Sequence, residues 1–162
     1  MSWSNKLRSV FDSMLTQSEA MVPGNLNWMW PVDGPVIASS NNGIVISGSA
    51  GQPVLAAAAG RVVFAGSSDA DDLAVFGNFV MLTHKAPLFT YVSLYGHNRA
   101  LLVAEDQMVS RGQQIAEMGS SGVLRVKLYF EIRQLKEGAP PRSMDPRQLL
   151  PTSTHIPKRS RR

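Results

Sequence analysis

Short apolar runs broken by glycine set the narrowest limits on how this chain can fold. From Trp28 onward such runs occupy residues 36–38, 43–47, 54–57, 61–65, 78–83, 90–94, 114–118 and 125–133, with Gly43, Gly60, Gly77, Gly96, Gly112 and Gly119 between or beside them. Runs of this length bounded by turn residues read as strands. A parallel pair needs a crossover of a dozen or more residues, normally a helix, and most of the gaps are too short for one. The pattern therefore predicts an all-β fold of antiparallel sheets, a sandwich or an open barrel, in one domain of a 162-residue chain.

The flanks differ. Leu7, Val10, Phe11, Met14 and Leu15 follow the i, i+3, i+4, i+7, i+8 spacing of one helix face, with Ser4 as N-cap, which predicts a short amphipathic α-helix over 5–17. Its stripe would pack on the domain's own surface, continue a longer helical region or cover a binding site. Residues 21–27, with Pro23 and Gly24, form a linker, so 1–27 are expected to be helix plus linker. Pro140, Pro141, Pro146 and Pro151 mark an irregular exit from the sheet. The first thirty residues lack the apolar core of a secretory signal, and no apolar run is long enough to cross a membrane as a helix.

The net charge of +4 belongs to the end of the chain. Lys158, Arg159, Arg161 and Arg162 lie in the last five positions, and the remaining twelve basic residues balance the twelve acids. A near-neutral body gives no reason to expect nucleic acid as partner. The basic tail, 152–162, is either a solvated end or a tether to an anionic surface.

Candidate chemistry is sparse. With no cysteine in the chain, thiolate metal sites, Cys nucleophiles and disulfides are excluded. His84 and His97 stand thirteen residues apart and His155 lies in the tail, so no His pair has metal-ligand spacing. Each reads first as a structural hydrogen-bonding residue. Asp69, Asp71 and Asp72 do not fit a calcium loop and read as a solvated hairpin tip. Ser120 and Ser121, between Gly119 and Gly122, read as a turn.

Face by face, Leu124, Val126, Leu128, Phe130 and Ile132 fall on the core side of one strand, and Arg125, Lys127, Tyr129, Glu131 and Arg133 on the other. That second face is either a solvated surface or the floor of a groove. Ile44 and Ile46 share a core face, which turns Val45 outward, where an apolar residue implies burial on both sides or a contact for a partner.

Taken in order, Gly43-Ile44-Val45-Ile46, Gly51-Gln52-Pro53-Val54, Gly60-Arg61-Val62-Val63, Leu94-Tyr95-Gly96-His97, Gly112-Gln113-Gln114-Ile115, Gly119-Ser120-Ser121-Gly122 and Tyr129-Phe130-Glu131-Ile132-Arg133 resemble the LytM (lysostaphin-like) zinc metallopeptidase domain over about 120 residues. The resemblance implies antiparallel sheets with a central groove over residues 28–151. Active members of that family hold zinc through His-x-x-x-Asp and His-x-His motifs; the matching positions here are Asn41, Val45 and Tyr129, and the first His of His-x-His is Lys127. Of the family's catalytic histidines His97 alone remains. Neither Val nor a neutral Asn replaces an imidazole or carboxylate ligand, so the resemblance implies no metal, no cofactor and no peptidase activity.

This departure is similar to the degenerate LytM domains of murein hydrolase activators, of the EnvC type more than the NlpD type, through the 93–103 run and Leu128-Tyr129-Phe130-Glu131-Ile132-Arg133. The resemblance then implies binding of an N-acetylmuramoyl-L-alanine amidase, so that peptidoglycan is cleaved during cell division, in the periplasm or cell envelope. Val45, Tyr95, His97, Lys127 and Tyr129 are expected to line the groove, with Asn41 and Arg125 at its edges. A divisome membrane complex would join through a region with no counterpart among the residues before Trp28. Competing readings are a peptidoglycan-binding module without an amidase partner, and a biotinyl- or lipoyl-type carrier, although Lys85 lacks the flanking Met of the carrier lysine.

Overall fold

Strand β6 (Thr90–Leu101), twelve residues long, organises the sheet. In this computed structural model, which describes residues 26–40, 42–70 and 72–152, β6 pairs antiparallel with β5 (Asn78–Lys85) on one side and β9 (Lys127–Leu135) on the other. Beyond Gly96 it leaves β9, and its last residues pair with β8 (Gln114–Met118). The other strands are β1 (Val36–Ser39), β2 (Ile44–Ser47), β3 (Pro53–Leu55), β4 (Gly60–Gly66), β7 (Met108–Val109) and β10 (Arg142–Met144). The main path runs β1-β2-β9-β6-β5-β4-β7, with β10 on β9 and β3 on β8. Every pairing is antiparallel.

All eight predicted runs contain a strand, so the mostly-β, antiparallel expectation stands. Two short strands were not predicted. β7 is two residues long, and β10 lies where prolines imply an irregular exit. After it, Asp145 caps the single-turn helix α1 (Pro146–Leu149) by accepting from the Arg147 amide, 3.1 Å away, with Pro146 opening the helix. The predicted helix over 5–17 and the basic tail from 153 onward lie outside the described residues, as do Asn41 and Asp71.

Strand alternation sorts the interior into two clusters on opposite faces of the sheet. Leu128, Phe130 and Ile132 join Ile44, Ile46, Val80, Leu82 and Tyr95 in the larger one. Val92 and Leu94 join Phe79, Met81, Leu73 and Phe76 in the smaller. One expectation is corrected. Leu124 is fully exposed rather than core, because regular strand begins only at Lys127 and the alternation does not extend back to it. Asp69 is exposed as expected of a solvated tip, and beyond the acidic stretch Leu73 and Phe76, around a 3-10 turn at Ala74–Phe76, are both 2% exposed and belong to the smaller cluster.

Candidate functional site

Three neighbouring strands present one row of residues. Val45 on β2 is the cross-strand partner of Tyr129 on β9, and Tyr129 is the partner of Gly96 on β6. Opposed residues share a face, so Val45 and Tyr129 lie side by side, opposite the side on which Ile44, Ile46 and Phe130 are buried. Gly96 has no side chain to cover the Tyr129 ring; a Cβ there would stand 3.5 Å from the Tyr129 Cβ.

Tyr129 is held from several directions. Its ring stacks on Phe76 with centroids 5.3 Å apart and planes 16° apart, and meets the His97 ring edge-on at 6.5 Å. Its hydroxyl donates to Glu131 Oε1 at 2.7 Å. The second Glu131 oxygen accepts from Arg133 Nε in an ion pair whose members are 0% and 3% exposed. Burial, and next the Glu131 carboxylate, push the Tyr129 phenol well above its ordinary pKa, so the phenol stays neutral and keeps the proton that it donates to Glu131. Gly43 leaves the space the phenol needs: a Cβ at that position would stand 2.7 Å from the Tyr129 hydroxyl oxygen and 2.7 Å from the Phe130 carbonyl oxygen. The face of β9 that sequence left open between solvated surface and groove floor is thus partly internal, with Glu131 and Arg133 buried beneath it.

His97 has a left-handed backbone, φ 69°, which costs an ordinary L-residue roughly 1–2 kcal/mol. Ser121 holds it there. The Ser121 carbonyl accepts from His97 Nδ1 at 2.9 Å, and the Ser121 amide donates back to the His97 carbonyl at 3.3 Å. The Ser121 hydroxyl accepts from the Asn78 amide at 2.9 Å and donates to the Asn98 carbonyl at 2.7 Å, tying the start of β5 to the end of β6. Because a carbonyl can only accept, Nδ1 carries the proton and Nε2 is the acceptor nitrogen. Burial, opposed by the Ser121 bond and assisted by the nearby Lys127 charge, lowers the His97 pKa and keeps the ring neutral.

The remaining expected residues divide. Lys127 opens β9 on the same face, half-buried, while Arg125 is exposed in the loop before it. Asn41 lies outside the described residues; its neighbour Asn42 accepts from the Ser143 hydroxyl at 3.1 Å, anchoring that loop to β10. Tyr95 is corrected. One residue from Gly96, it points through the sheet into the larger core, 0% exposed, with its ring on Phe130 at 5.3 Å. There it closes a buried chain: the Ala57 amide donates to the Tyr95 oxygen at 3.0 Å, Tyr95 to Ser93 at 2.8 Å, Ser93 to His84 Nε2 at 2.7 Å, and His84 Nδ1 to the Ala59 carbonyl at 2.8 Å. Carbonyl and amide ends fix the direction of every bond. His84 is therefore structural, and burial lowers its pKa from 6.5 to about 4.

Phe76, Ser121, Glu131 and Arg133 complete the site without having been picked out as site residues. Glu131 and Arg133 had a signal, since they share a strand face with Tyr129 at a spacing of two; Phe76 had none, because its place depends on how the 67–77 connection folds back.

Fold and site together define a class. The chain belongs to peptidase family M23, whose pattern matches residues 39–143. Its relatives include the Pseudomonas aeruginosa lipoprotein NlpD/LppB homolog, 52% identical over 130 residues that cover 76% of this chain and 40% of that one. Another is the murein hydrolase activator NlpD of Escherichia coli K12, 41% identical over 112 residues, covering 65% of this chain and 28% of that one. The match thus spans less than half the length of either relative. Among solved structures, the catalytic domain of lysostaphin from Staphylococcus simulans shares the fold, with a TM-score of 0.56 and 22% identity over 73% of this chain and 87% of that one. The relatives carry the NlpD name, and the expected closer likeness to the EnvC type finds no support in them.

Lysostaphin-like peptidases imply zinc, but the donors at this site do not fit it. Val45 has no lone pair, the Tyr129 hydroxyl is committed to Glu131, and His97 offers one ring nitrogen. Among the described residues no three His, Asp or Glu side chains come together to hold a metal. What the face does offer is an aromatic and apolar patch with Lys127 on the same strand face.

Proposed function

We propose that this chain is a non-catalytic activator that binds an N-acetylmuramoyl-L-alanine amidase through the Val45–Tyr129 face, in the periplasm or cell envelope, and so promotes peptidoglycan cleavage during cell division. In this reading Asn41, Val45 and Tyr129 stand where a peptidase of the family would carry its zinc ligands. Val45, His97, Lys127 and Tyr129 form the contact groove, with Asn41 and Arg125 at its edges. The observation that carries the reading is the state of Tyr129: stacked on Phe76 and hydrogen-bonded to a buried carboxylate, it is a rigid amphipathic anchor, not a metal ligand. Preformed aromatic anchors are the groups that dominate protein interfaces, and a helix laid in a groove is recognised by such anchors. The NlpD relatives' description as murein hydrolase activators supports the same function.

Calorimetric titration of the chain into a purified zinc amidase, beside sedimentation with purified sacculi, separates this from the wall-binding alternative. The proposal expects saturable amidase binding that Val45→Glu abolishes. Sacculus binding with no heat of amidase association would support the peptidoglycan module instead.

A further inference from the structure

A second recess lies away from this face. The β5–β6 hairpin tip, the segment entering at Leu26 and helix α1 enclose a groove of about 680 Å³, walled chiefly by Trp28, Phe89, Tyr91, Leu88 and Leu149. Trp28 meets His84 edge-on at 5.0 Å and Tyr91 at 5.9 Å, and Phe89 meets Tyr91 at 6.4 Å, so the wall is a row of aromatic rings. Among the described residues none that lines it is charged, and Leu88 is 86% exposed at the rim. The size falls within the roughly 300–1,000 Å³ of sites that bury several apolar groups. Tyr91 is six positions from His97 along β6, about 20 Å at strand rise.

The occupant that fits is in the same chain. Leu7, Val10, Phe11, Met14 and Leu15 make one apolar stripe, with Lys6, Arg8, Asp12 and Ser13 off it. A helix of this length is marginal in water without a surface to bury its stripe. Residues 18–25 separate the segment from Leu26, which itself lines the groove, and eight residues reach at most about 29 Å. A tether that short presents the stripe to the groove at millimolar effective concentration. We infer that residues 5–17 dock their Leu7–Leu15 stripe into the groove between the β5–β6 hairpin and helix α1. This is independent of the amidase reading, and leaves the Val45–Tyr129 face uncovered.

Hydrogen exchange of the whole chain, read by mass spectrometry, tests it against the double variant Phe11→Glu/Leu15→Glu and against Leu88→Glu at the exposed rim. The amides of 86, 88–91 and 148–150 should exchange about tenfold faster in the double variant. Leu88→Glu should in turn speed exchange within 5–17, and both effects should be unchanged over a hundredfold dilution. Equal rates in parent and double variant would overturn the inference. Protection that fades on dilution would also overturn it, naming a second copy of the chain as the occupant.

Discussion

Replacing Glu131 with Gln tests the interior on which the site rests. The substitution keeps the volume and removes the charge. Glu131 is wholly buried, accepts from Tyr129 and Arg133, and faces a guanidinium that is only 3% exposed. Stripping one partner from a buried ion pair costs about 3–5 kcal/mol, because the other charge stays desolvated. Gln still offers an oxygen to the Tyr129 hydroxyl, so the lower end, about 3 kcal/mol, is expected. For a domain of this size 1 kcal/mol moves the melting temperature by about 3–4 °C, which makes the loss about 10 °C. Thermal unfolding followed by circular dichroism reads it directly. The double variant Glu131→Gln/Arg133→Met, which removes both charges, should recover much of the loss. A fall of less than about 3 °C in the single variant would refute the claim that this pair carries the floor of the site.

Three further outcomes follow from the same contacts. His84 is held neutral when folded, with its pKa lowered to about 4, but takes a proton near 6.5 when unfolded; its contribution is complete above pH 6.5 and is lost as pH falls toward 4, by about 1.4 kcal/mol per pH unit. Urea unfolding at pH 7, 5.5 and 4.5 should show a flatter acid decline for His84→Gln, and parallel declines would contradict the assignment. Tyr95→Phe leaves the Ala57 amide without its acceptor and should cost about 1–3 kcal/mol in urea unfolding while amidase binding survives, since the ring faces the core. Ser121→Ala removes the two hydroxyl bonds that link Ser121 to β5 and β6 and should cost about 2 kcal/mol in urea unfolding, while the His97 ring, held by the Ser121 backbone, keeps its NMR signal; a displaced His97 signal would show that the hydroxyl, not the backbone, sets its place.

The strands were legible because apolar runs and glycines report local geometry, and the outward turn of Val45 was legible from the two isoleucines beside it. Tyr129 and Lys127 followed from alternation along one strand. Alternation failed at Leu124, which lies before β9 begins, and it was not applied to β6, where it would have turned Tyr95 away from the face that His97 joins. His97 escapes that rule because its left-handed backbone breaks the strand period. The ion pair beside Tyr129 was half visible, as two charges at strand spacing; their burial was not, since it depends on tertiary packing that alternation along one strand does not report. The resemblance to LytM domains gave the family and the fold, but its detailed leaning toward the EnvC type rested on short runs, and the relatives point to NlpD.

The central claim is that an intact Val45–Tyr129 face activates an amidase without chemistry of its own. The most direct measurement is dye release from labelled peptidoglycan by a quiescent zinc amidase, with the chain added as parent, as Val45→Glu and as Tyr129→Ala, each checked for an unchanged fold. Release that rises with the parent, stays at the amidase's own level with both variants, and is absent when the chain is added alone is the expected result. Equal stimulation by the variants, or release by the chain without amidase, would contradict it.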